Sequence, residues 1–264
     1  MNRILILLSV LTLLLFSCKK EGCTDENAQN FNENATQNDG SCVYSPNDSI
    51  KIQINPVYNG FDLHLDSVYN TIEGYGVKFT TISFFISNLN NQSDTLNTSS
   101  LFDFREKGRL LLAENQNFNT FNQIQGDIGV GPANNHGDPS AFNNESDLNI
   151  ENAGLMHWSW NTGYIFVNIE GKVDTLSSGI FNHNFSFHIG TDVFLQNFSF
   201  DNISWVETGV NEHSLFLELD LSSFLNAENN AIDLKDEYLT HSNSSQQPLS
   251  EKVVANFVNA FNAP

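Results

Sequence analysis

Basic residues are scarce in this 264-residue chain, where 11 Lys and Arg face 31 Asp and Glu for a formal charge of −20 at pH 7. So negative a surface repels phosphate backbones, and no Lys/Arg cluster offers a local exception, which excludes nucleic acid as a partner. Cysteine is almost absent as well, at 3. In an exported protein that odd number leaves one thiol over unless it has another task. Catalytic signatures are missing: the chain has no G-x-S-x-G elbow, P-loop, G-x-G-x-x-G, H-E-x-x-H or C-x-x-C-H haem attachment, and no enzyme is expected. Carboxylate pairs such as Asp62 and Asp66 are what any chain this acidic offers, and they point to glycoside hydrolysis only with a measured separation and a cleft. Apolar residues, in contrast, make up 40% of the chain and aromatics 12%, with 22 Phe. That is enough for a substantial core, so the chain folds.

The one long hydrophobic run is N-terminal. Met1-Asn2-Arg3 supplies a positive start, Ile4 to Phe16 is almost unbroken apolar sequence, and Leu15-Phe16-Ser17-Cys18 closes it. At about 13 residues the run is shorter than the ~20 a spanning helix needs. Its grammar is that of a lipoprotein signal peptide over residues 1–17, with Cys18 as the lipid-carrying first residue of the mature chain. The expectation is therefore an outer membrane lipoprotein, on the periplasmic or cell-surface side, attached to the membrane through its N-terminal lipid. Lys19-Lys20-Glu21 follow the cysteine with no Asp, which suits the outer membrane. Losing Arg3 with the signal takes the charge to −21, the surface of a soluble, monomeric tethered domain.

Residues 18–47 form a polar stalk bracketed by Cys23 and Cys42. In an oxidising compartment these two close a loop worth about 3 kcal/mol. Gly22-Cys23-Thr24-Asp25 through Asp39-Gly40-Ser41-Cys42 resembles a short module of secreted bacterial proteins. Asp25, Glu26, Asn38 and Asp39 lack the spacing and twelfth-position Glu of an EF-hand, so the segment reads as structural.

From Ser49 onward apolar residues recur with period two or in short runs, at 50–54, 61–65, 77–87, 164–170, 184–189, 197–206 and 215–221, separated by Asn, Gly, Asp and Ser clusters. This predicts an all-β domain over 48–264, an antiparallel β-sandwich with long loops. A short C-terminal helix is expected over Ser250–Phe261, with Ser250 as N-cap and Val253, Val254, Phe257, Val258 and Phe261 as one apolar stripe. A shorter helix is expected near Phe104–Leu112. Residues 126–153, rich in Asn, Gly and Pro, read as a long loop that is either functional or disordered.

One segment is denser in aromatic and polar signature residues than any other: Gly154-Leu155-Met156-His157-Trp158-Ser159-Trp160-Asn161-Thr162-Gly163-Tyr164, followed by a strand and Glu170-Gly171. It resembles the core motif of the MbnP-like family. Ile82-Ser83-Phe84-Phe85-Ile86-Ser87-Asn88, Ile128-Gly129-Val130, Phe187-His188-Ile189-Gly190, Leu217-Glu218-Leu219-Asp220 and Ile232-Asp233-Leu234 follow the family's other landmarks in order, so the resemblance spans about residues 48–262.

The resemblance implies an exported β-sandwich and, from the name-giving branch, a copper ion held by imidazoles and a tryptophan oxidised to kynurenine. His188 is the best-matched ligand, Trp158 and Trp160 are the candidates for oxidation, and a separate oxidising partner would be needed, since the chain carries no redox cofactor of its own. His157 stands where Phe or Tyr is usual, His136 has partial support, and His64 is private to this chain; all three remain candidate ligands, because neutral imidazole suits copper. Met156 offers a thioether but reads as a core gap-filler. His183, His213 and His241 read as turn residues outside any site. Strand alternation predicts Phe187 in the core and His188 facing away from it, where a structural hydrogen bond is the competing role. Trp158 and Trp160, two apart, share a face and also suit plain core packing. The alternative function is a surface binding or adhesion module that takes glycan or protein and no metal.

Overall fold

The computed structural model describes residues 19–25, 28, 30–43, 49–159 and 162–264. The expected signal peptide, Cys18, Glu26 and Trp160 lie outside the described residues. The chain divides into two compact units, Met1–Asn47 and Asp48–Pro264.

In the first unit Cys23 and Cys42 are disulfide-bonded, with their Cα atoms 4.7 Å apart. Residues Glu21–Gly22 pair in parallel with Gln37–Asn38. The Asn38 and Asp39 side chains accept hydrogen bonds from the Gly40 and Ser41 amides, turning the chain in the manner of Asx residues.

The second unit packs two sheets. The first strand of the smaller sheet is β1 (Ser49–Tyr58), whose Ile50, Ile52 and Ile54 are buried while the residues between them are partly exposed. The larger sheet takes β2 (Gly76–Asn90) and β3 (Thr95–Asp103), and β4 (Leu110–Asn115) returns to the smaller one. The chain re-enters the larger sheet with β5 (Gln123–Ile128), β6 (His157–Ser159), β7 (Gly163–Asp174), β8 (His183–Gly190) and β9 (Gln196–Asp201). Strands β10 (Val206–Gly209) and β11 (Glu212–Asp220) belong to the smaller sheet, and the two-residue β12 (Leu239–Thr240) edges the larger. The larger sheet runs β9-β5-β2-β7-β8-β12, with β3 on the far side of β2 and β6 on β7; the smaller has β10-β11-β1 as its spine.

The core between the sheets gathers Ile50, Ile52, Ile54, Phe79, Phe84, Phe102, Phe185, Phe187, Leu215 and Leu217. Two helices close it: α1 (Leu221–Leu225) and α2 (Gln247–Ala260). Phe257 of α2 meets the Phe84 ring edge-on at 4.9 Å. None of the described helices is long and apolar enough to cross a membrane.

The all-β sandwich stands, with local corrections. It is not wholly antiparallel: β1 and β11 run parallel over nine residue pairs, and β8 pairs β12 in parallel. The helix expected at 104–112 is absent. Gly108 there has φ +61°, the Asp103 carboxylate accepts the amides of Arg105 and Glu106, and the leucines that follow extend as β4 against β1. Residues 197–206 are not one strand, because the chain turns at Asn202 (φ +56°) and passes to the other sheet. Ser250 is not the N-cap. The helix starts earlier, with Pro248 in its first turn, where a missing N–H costs nothing; Ser250 is buried, its hydroxyl 2.6 Å from that of Thr240.

The 126–153 segment is folded rather than open. Short helical turns at Pro132–Asn135, Pro139–Ala141 and Ile150–Ala153 lay it over the outer face of the larger sheet. There Val130, Leu148, Ala153 and Met156 build a second apolar cluster with Phe85, Leu101, Tyr164 and Phe166.

Candidate functional site

His188 lies on β8 opposite Asn168 of β7. Phe187 is fully buried in the main core, so alternation sends His188 to the outer face. Its Nε2 is 2.8 Å from Glu170 Oε1 and 3.0 Å from Ser186 Oγ. Glu170 and Ser186 are themselves cross-strand partners, and the Thr81 hydroxyl on β2 donates to Glu170 Oε2 at 3.1 Å. The hydrogen bond from His188, more than any other influence, holds the Glu170 carboxyl below its usual pKa, against the opposing effect of burial. Glu170 and Ser186 also line an open cavity of about 280 Å³.

A second imidazole reaches the same place. His241, just after β12, stacks on His188 with ring centroids 4.8 Å apart and planes 9° from parallel. Its pKa lies below the ordinary histidine value, first because it is partly desolvated and then because of the His188 charge. The neutral, ligand-competent form is thereby favoured. The backbone amide of His241 is tied to Gln246 Oε1. Ring lone pairs lie in the ring plane, so two parallel rings share one ion only after His241 turns.

Two residues beyond His188, Gly190 supports Trp158. A Cβ at Gly190 would stand 2.6 Å from the edge of the indole and 2.7 Å from the Tyr164 carbonyl. Only glycine lets the tryptophan lie on β8 there. Trp158 therefore packs against the outer cluster and also borders the His188 strand. Ser242 links the same stretch to the segment carrying His241, accepting from the Gly190 amide and donating to the His188 carbonyl.

Beyond the end of β8, Asp192 holds two residues of the folded loop. Its Oδ2 is 2.9 Å from His136 Nε2, and its Oδ1 accepts from Asn135 Nδ2 at 2.8 Å. Asn135 Oδ1 in turn accepts the Tyr164 amide at 2.9 Å. The Asn135 and His136 hydrogen bonds keep the Asp192 carboxyl below its usual pKa although desolvation opposes them as the largest single influence. His157 faces Tyr164 across β6 and β7, ring edge to face at 4.8 Å. Its Nε2 is buried with no hydrogen-bond partner, and burial lowers its pKa. Tyr164 is fully buried, its hydroxyl donating to the Leu148 carbonyl.

The expected residues thus fall into two neighbourhoods along one strand end: His188 with Trp158, and His136 with His157 near Tyr164. His64 joins neither; its backbone is bonded to the Tyr69 hydroxyl in an exposed turn. The three histidines read as turn residues need correction. His183 opens β8 with its ring against Tyr238, His213 lies in β11 stacked on Phe118, and His241 belongs with His188. No local pattern marks His241, because only the β8–β12 pairing, from Phe187 to Thr240, brings it there. Met156 is buried in the outer cluster, as a gap-filler would be.

Among the described residues no three His, Cys, Asp or Glu side chains converge as a metal cage. Copper(I) asks for fewer donors, and imidazole suits it. The pair at 188 and 241, one ring held by a carboxylate and the other stacked on it, brings two such donors together.

A family model described as MbnP matches residues 47–246. Among solved structures, MbnP from Methylosinus trichosporium is similar at 13% sequence identity and a TM-score of 0.45, over 70% of this chain and 78% of that one. No curated protein matches the chain.

Proposed function

Because the chain belongs to the MbnP family, we propose that it captures or holds copper outside the cytoplasm, as a lipid-anchored protein of the outer membrane. His188 and His241 would supply the imidazole ligands, with Trp158 packed on the same strand at Gly190. Copper bound there would be stored or handed on, and the chain's own part is to orient the two rings. His136 and His157 are the next candidates, near Asp192 and Tyr164. Conversion of Trp158 or Trp160 to kynurenine would require a separate oxidising protein.

The observation that carries this reading is the Glu170–His188 pair with a second imidazole stacked on it. A carboxylate that holds one ring nitrogen of a histidine leaves the other as a ligand, and metal-binding histidines are regularly built this way. The test is Cu(I) titration of the purified protein against a chromogenic chelator. One ion per chain is expected, lost in His188→Ala and weakened in His241→Ala. Binding no tighter than micromolar, or binding unchanged in His188→Ala, would sink the proposal and favour a surface-binding role without metal. Intact mass of natively exported protein checks the tryptophans independently.

A further inference from the structure

We infer that Glu170 is a positioning residue that fixes the proton of His188 on Nε2 and so makes Nδ1 the atom that receives an ion. The metal half of this inference rests on the copper reading above; the proton half does not.

The carboxylate is an acceptor only. At 2.8 Å from Glu170 Oε1, His188 Nε2 must carry hydrogen, since a lone pair there would face another lone pair. Ser186 Oγ, 3.0 Å from the ring nitrogen and 3.5 Å from the same carboxylate oxygen, has its own hydrogen to give to Glu170. With Thr81 donating to the other oxygen, the carboxylate is held by three side chains from two neighbouring strands.

The backbone is built to deliver it. The β7–β2 register shifts between Glu170 and Gly171, and irregularities of that kind re-aim a side chain next to a site. A Cβ at Gly171 would lie 2.1 Å from the Lys78 carbonyl and 2.4 Å from the Phe185 ring. Only glycine at 171 lets β7 close on β2 and on that ring. The Glu-Gly pair in the sequence is therefore one device, in which the glycine allows the close approach and the glutamate, on the opposite face, reaches His188. A surface ion pair of purely structural purpose would need neither the irregularity nor the three donors.

Long-range ¹H–¹⁵N correlation spectra of the metal-free, uniformly labelled protein give the first readout. Wild type should show His188 Nε2 as N–H and Nδ1 as an unprotonated ring nitrogen, with the Nε2 proton protected from exchange. Glu170→Ala should lose that protection, and Glu170→Gln, which keeps a carbonyl acceptor, should recover part of it. Cu(I) affinity is the second readout, expected to fall about 10–100-fold in Glu170→Ala, with Glu170→Gln between the two. A proton on Nδ1 in wild type overturns the inference, as does a Glu170→Ala protein that binds Cu(I) as tightly as wild type. If wild type binds no Cu(I), the copper reading and the metal half fail together, while the spectra still decide where Glu170 puts the proton.

Discussion

Asn135 is one of the side chains through which the folded loop grips the larger sheet, and its removal has a calculable cost. It is 1% exposed. Its oxygen accepts the Tyr164 amide at 2.9 Å and its nitrogen donates to Asp192 at 2.8 Å. It also lies so close over Gly163 that a Cβ there would be 2.2 Å from Asn135 Oδ1. In Asn135→Ala the Tyr164 N–H is left buried without an acceptor, which costs about 1–3 kcal/mol. The bond to a carboxylate adds about 1 kcal/mol, less than the ~1.5–3 kcal/mol of a charged partner shielded from solvent, because water reaches the partly exposed Asp192 and replaces much of what is lost. A total of about 3 kcal/mol, with a urea slope of roughly 3 kcal/mol/M, moves the unfolding midpoint down by ~1 M. Urea titration followed by tryptophan fluorescence measures it. His136→Ala is the contrast: its hydrogen bond with Asp192 is exposed on both sides, so its loss should stay under about 1 kcal/mol. A midpoint shift in Asn135→Ala no larger than that of His136→Ala would refute the reasoning.

Gly190→Ala should destabilise by about 2 kcal/mol through overpacking, since the new methyl meets a backbone carbonyl that cannot move independently of β7 as well as the indole of Trp158. A shifted Trp emission maximum alongside a lower melting temperature is the expected signature, and an unshifted maximum would count against the Trp158–Gly190 contact. At alkaline pH the buried phenols decide: burial pushes Tyr58 and Tyr164 from 10.0 up to about 12. Folded values above the unfolded one mean that this stabilisation is complete below pH 10 and is lost as pH rises toward 12. Urea midpoints at pH 8 and pH 11 should therefore differ more in wild type than in the Tyr58→Phe/Tyr164→Phe double variant; equal differences would contradict it.

Much of the fold is readable where burial writes a regular period. Ile50, Ile52 and Ile54 alternate into the core, Phe187 and His188 point to opposite faces, and Val253, Val254 and Phe257 line the buried side of α2. The failures have physical causes. Parallel pairing of β1 with β11 is invisible to local alternation, because a strand shows the same period whichever way its distant partner runs. The leucines at 110–112 suit a helix or a strand on hydrophobicity alone; Gly108 in the left-handed region and the edge offered by β1 decide the matter. The 126–153 segment hides its packing in a few scattered residues, Val130, Leu148 and Ala153, which have no period because each fills a separate gap over Phe85 and Tyr164. Within the candidate site, the motifs around them single out His188 and Trp158, and what the sequence does not mark is their surroundings. Glu170 as the partner of His188 is not legible, since the pairing depends on β7–β8 register, and His241 directly follows an edge strand of only two residues.

The most direct measurement is anomalous diffraction at the copper edge from a crystal loaded with one equivalent of Cu(I). The strongest peak should stand ~2 Å from His188 Nδ1, a normal metal-to-imidazole distance, with the His241 ring turned toward it and Glu170 still on Nε2. A peak on the acidic surface or at His64, with nothing within ~4 Å of the His188 ring, would contradict the assignment of copper to this strand end.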